Sequence, residues 1–102
     1  MMNKLFDFKL PKGLIGHDGE LHNYGEMRLL TAKDELILQD LFSRDASIDI
    51  VFLLMSQAIA KLGSLTQVTP QHLEQLFLLD FEYLQNLFSQ LQPQNVNASG
   101  ES

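Results

Sequence analysis

The chain of 102 residues contains no cysteine. That excludes disulfides and thiolate metal sites, and it is compatible with a reducing cytoplasm. Basic residues are few: 7 Lys and Arg stand against 13 Asp and Glu, for a formal net charge of −6. Phosphate recognition needs a basic patch, so this balance argues against a nucleic-acid partner and equally against an anionic membrane surface. The 6 glycines are scattered and form no phosphate-cradling loop. No nucleophile turn of the GxSxG kind occurs. No apolar run approaches the roughly 20 residues needed to cross a bilayer. The opening "MMNKLFDFKL" carries Lys4, Asp7 and Lys9 in place of a signal-peptide core. These absences lead to the expectation of a soluble, cytoplasmic protein with no cofactor, no metal and no catalytic set.

What is present is enough apolar material for one core. Hydrophobic residues make up 45% of the chain, too many for general disorder. The length suits a single domain. Residues 1–92 are expected to form it, and the polar segment 93–102, "PQNVNASGES", reads as a disordered tail.

The first third has a period of two. In "KLFDFKL", Leu5, Asp7 and Lys9 fall on one side and Phe6, Phe8 and Leu10 on the other, as in a half-buried strand. "PKG" at 11–13 is expected to end that strand. Asp18-Gly19 suits a two-residue hairpin turn, with flanking strands near 13–16 and 20–24. Gly25 allows a bend, and "EMRLL" at 26–30 reads as a third strand.

At Thr31 the period changes. Threonine followed three places later by Asp34 is an N-cap pattern, and Asp34 with Glu35 suits the positive end of a helix dipole. A first helix is expected to run from there to about Ser43. A second, from Ser47 to Leu62, carries Ile48, Val51, Phe52, Met55, Ile59 and Leu62 at helical spacing, with Gly63 as its C-cap. Thr69-Pro70 opens a third helix, which can continue to Leu91, roughly 33 Å at 1.5 Å per residue. Its stripe is Leu73, Leu76, Phe77, Leu84, Leu87, Phe88 and Leu91, while Leu78 and Phe81 lie off that stripe. The fold class expected is α+β: a small N-terminal antiparallel sheet of two or three strands, followed by three α-helices packed on it.

Candidate chemistry is sparse. His17, Asp18 and His22 flank the hairpin turn but lack a third rigid metal ligand, so solvated turn residues are the expectation. His72 reads as filler in a helix's first turn. Asp80 sits inside the apolar run "LFLLDFEYL". A carboxylate there must stay exposed, pair with a cation or take up a proton. Arg28, Lys33, Arg44 and Lys61 are the cations on offer for an internal ion pair, and an anchor for a partner is the alternative. The surplus of apolar residues on the last helix gives candidate partner contacts at Leu78, Asp80, Phe81, Tyr83 and Phe88.

The segments "FDFKLPKGLIGHDGELHNYGEMRLLTAKDEL", "VFLLMSQAIAKLGSLTQVTP" and "LFLLDFEYLQNLF", with the core pattern G-x-MRL-x-TA-x-DE, resemble a family of phage tail assembly proteins, or tail assembly chaperones, of contractile-tail phages, prophages and related contractile injection systems. The resemblance spans about residues 5 to 90. It implies a non-catalytic chaperone that binds an apolar helical segment of a tail component, such as the tape measure or a hub protein, through the C-terminal helices. Two alternatives remain open: a minor structural subunit of such a particle, and an acidic regulatory protein-binding module. A homo-oligomer through the last helix would also cover the apolar surplus.

Overall fold

The computed structural model of the protein describes residues 4–92. The expected polar tail at 93–102 lies outside them. The architecture is α+β, a three-stranded antiparallel sheet with helices. β1 (Leu5–Ile15) and β2 (Leu21–Arg28) pair antiparallel, from Leu5↔Arg28 to Ile15↔Leu21. The alternation in the sequence has its predicted effect: Phe8 and Leu10 are buried, whereas Leu5, Asp7 and Lys9 are exposed. "EMRLL" does not form a strand of its own, because β2 runs through Gly25 without a break and ends at Arg28.

The hairpin turn is longer than the Asp18-Gly19 dipeptide suggests. The Gly16 amide donates to the Glu20 carbonyl at 2.9 Å, and the Gly19 amide donates to the Gly16 carbonyl at 3.0 Å. This is the pattern of a three-residue loop closed by a left-handed residue, here Gly19 with φ +80°.

"PKG" does not end β1 but bulges it. Four residues, Leu10 to Gly13, lie where β2 has only Asn23, between the pairs Lys9↔Tyr24 and Leu14↔His22. Pro11 has no amide hydrogen to contribute to a ladder, and Gly13 adopts φ +98°. A bulge of this size leaves backbone amides without strand partners. Those of Lys12 and Gly13 are received by the two carboxylate oxygens of Asp80, at 2.8 and 2.7 Å.

Thr31 caps α1 (Ala32–Arg44) in a full capping box with Asp34, as the sequence predicts. The second helix differs from expectation at both ends. α2 spans Ile50–Ala58 rather than starting at Ser47, with Asp49 as its N-cap. The chain then passes without a loop into β3 (Ile59–Leu62), which pairs with β2 on the side away from β1. Ile59 and Leu62 fit the helical stripe, but both are buried as the ends of a strand of the sheet. Strand pairing therefore overrides the helical period.

The third expected helix is two helices. α3 (Pro70–Glu74) is capped by Thr69, whose amide donates to His72 Nδ1 at 3.0 Å. After a break at Gln75–Phe77, α4 (Leu78–Leu91) lies across β1. The break lets α4 take the direction that brings Asp80 to the bulge. The core is built from Phe8, Leu10, Met27, Met55, Leu62, Leu73 and Leu84, drawn from every element except α1.

Candidate functional site: an apolar cleft

The join between sheet and helices is fixed by polar contacts. Arg28, the last residue of β2, makes a bidentate pair with Asp34 at 2.8 and 2.7 Å. Asp34 also accepts from the Thr31 amide at 2.7 Å. The Arg28 guanidinium, helped by Thr31, holds the Asp34 carboxyl far below the usual carboxylate range against the opposing effect of burial. From the other end of the chain, Gln92 accepts from the Leu30 amide at 2.9 Å and donates to the Arg28 carbonyl at 2.7 Å. The start of α1 is thus clamped to β2 and to the end of α4.

Beyond its clamped start, α1 is poorly covered. Asp34 and Leu38 are its buried residues, and Leu36, Ile37, Leu41 and Phe42 are all exposed, Leu36 at 67%. The gap between α1 and the rest of the domain forms a cleft of about 850 Å³. Leu29, Leu30 and Ala32 line it from the β2–α1 join, and Glu35, Leu38, Gln39 and Phe42 from α1. Ile50 and Leu54 contribute from α2, and Phe88, Leu91 and Gln92 from the end of α4. The volume is that of a ligand- or side-chain-binding cleft, and its walls are aliphatic and aromatic. Among the described residues lining it, Glu35 is the one ionisable side chain.

The five candidate contacts do not form one surface. Phe88 lines the cleft. Leu78 is 70% exposed and forms a separate apolar corner with exposed Phe77 and Leu79 at the start of α4. Phe81 is half-buried and stacks on Phe52, with ring centroids 4.7 Å apart and planes 19° apart. Tyr83 is half-buried, tilted against Phe8 at 6.5 Å. Asp80 is fully buried. It offers no anchor to a partner, and its hydrogen-bond partners are the bulge amides rather than the expected cation. The sequence stripe on the last helix did not point to Leu38, Phe42, Ile50 or Leu54. The available signal was the run Leu36, Ile37, Leu38, Leu41 and Phe42, which is more apolar surface than one face of a 13-residue helix can bury.

A second, smaller cleft of about 400 Å³ includes His17, Asp18, His22 and His72 in its lining. His22 is buried; its Nε2 lies 3.6 Å from Asp18 Oδ1, and its Nδ1 accepts from the Ser64 amide at 3.3 Å. The Glu20 amide, with the His22 ring, draws the Asp18 carboxyl below its usual range. Among the described residues no group of three or more His, Cys, Asp or Glu is placed to hold a metal ion. Nor is any described helix long and apolar enough to cross a membrane.

Fold and cleft together define a small α+β domain with an open apolar groove between helices. Comparison with models of known protein families, with curated proteins and with solved structures finds no match for the chain.

Proposed function

We propose that the protein is a non-catalytic assembly chaperone for a phage-tail-like particle, and that it holds an apolar helical segment of a tail component in the cleft between α1, α2 and α4. The observation that carries this reading is the cleft itself: about 850 Å³ of mainly apolar space, walled by a helix whose own apolar residues stay exposed. Helix-in-groove recognition needs such a surface, with anchors at i, i+3, i+4 and i+7 on the incoming helix. Each anchor of Leu or Phe size buried there contributes roughly 1.5–3 kcal/mol, so two or three suffice for a reversible assembly contact. The likeness of residues 5 to 90 to tail assembly proteins supplies the setting, with a tape-measure or hub protein as client.

The test is co-expression of the protein, and of its Phe42→Glu variant, with candidate tape-measure and hub segments. The wild type is expected to retain a segment that the variant loses. Retention of none by the wild type would overturn the reading, and recovery of the chain in finished particles would make it a structural subunit instead.

A further inference from the structure

We infer that the helix taken up by this cleft is basic on its flanks, and that Glu35 selects for it; this rests on the helix-holding function proposed above. The cap Thr31 and positions 32, 35, 38, 39 and 42 of α1 line the cleft, and Glu35 is the one charge among them. Lys33 and Arg44 belong to the other side of the helix, and Arg44 is paired with Asp40 at 3.1 Å. Arg28 is occupied by Asp34. At its α2 wall the cleft begins at Ile50, next to the exposed N-cap Asp49. Glu35 holds only a 3.3 Å hydrogen bond from Gln39, so its charge is open to a newcomer. A helix entering this apolar trough meets negative potential at its sides, and like charges there would be repelled.

The same chemistry weighs against two occupants from the chain itself, the segment 93–102 and α4 of a second copy. Residues 93–102 carry one charged residue, Glu101, and little apolar material beyond Val96 and Ala98. α4 contains no basic residue, so a second copy presenting that helix would add acid to acid. The fitting partner is therefore an amphipathic helix of about 13 residues, the length of α1 or roughly 20 Å, with Leu- or Phe-sized anchors on one face and Lys or Arg beside them.

Two designed helical peptides test this, identical in their Leu anchors and carrying either Lys or Glu at the flanking positions. The wild-type chain is expected to bind the Lys peptide about tenfold more tightly than the Glu peptide at low salt, a gap that narrows as salt screens it. Glu35→Gln and Glu35→Lys should lose that preference, while Glu74→Lys, which matches the charge change of Glu35→Lys but lies on α3 away from the cleft, should keep it. Phe42→Glu should bind neither peptide. Equal binding of both peptides by the wild type, lost in Phe42→Glu, would overturn the charge selection and leave the helix-holding function standing. Binding of neither would overturn both. Persistence of the preference in Glu35→Gln would also overturn the assignment to Glu35. So would a self-association that Phe42→Glu abolishes, because the occupant would then be a second copy.

Discussion

Asp80 illustrates how one side chain can decide a local conformation. Its two oxygens receive the two amides that the Leu10–Gly13 bulge frees from the ladder. Asparagine in its place has one oxygen and an NH2 group, so one buried amide would face a donor. Asp80→Asn is expected to cost about 1–3 kcal/mol, the penalty for a buried donor left unmade. That corresponds to a Tm fall of roughly 4–8 °C for each kcal/mol in a domain of this size, which thermal unfolding followed by circular dichroism would register. Asp34 makes a pH-dependent contribution. Its carboxyl is depressed in the folded state by Arg28, so its stabilisation is complete above the unfolded pKa near 3.8 and declines as pH falls below that. Asp34→Asn should therefore be less stable than wild type by roughly 1–3 kcal/mol at pH 7. Urea midpoints of the two proteins should converge as pH drops from 4 toward 2.

At the scale of the element, α1 is the weakest of the long segments. It is tied at its start by the capping box and Arg28, but buries only Leu38 of its apolar residues. Segments with few buried contacts open at lower free energy than the core. Backbone amides of residues 36–44 are expected to exchange with deuterium at least about tenfold faster than those of β2 around Met27. Thr31→Ala, which removes the cap at a cost of about 1 kcal/mol, should speed them further. Equal protection of α1 and β2 would contradict this account. The elements also show what the sequence made readable. Alternation exposed β1, and the Thr31–Asp34 spacing exposed the start of α1, because both signals are local. β3 was hidden because Ile59 and Leu62 satisfy a helical stripe as well as a strand, and only pairing with β2 decides between them. The division of α3 from α4 was hidden because the contact that goes with it, Asp80 on the bulge amides, joins residues more than sixty positions apart. The cleft was read only at Phe88, although the run from Leu36 to Phe42 carries more apolar surface than one face of α1 can bury.

At the scale of the molecule, the domain has a well-filled centre around Met27, Met55 and Leu84 and an unfilled flank beside α1. This division separates stability from recognition. Phe42 is 38% exposed and lies on that flank, so Phe42→Glu should shift folding stability by no more than about 1 kcal/mol, as befits a residue outside the core. The same substitution should abolish uptake of a helical client, so paired measurements of unfolding and binding would separate the two effects. A large loss of stability would instead make Phe42 a core residue and the cleft a packing gap.

The contact of Asp80 with Lys12 and Gly13 also bears on the order of events during synthesis. The first strand leaves the ribosome early, with a kink whose amides have no lasting acceptor. The acceptor arrives only when the chain has been made as far as residue 80. Until then the hairpin has neither its helix lying across it nor the two hydrogen bonds that set its bend, so the shape of the first strand is settled only after α4 has been made.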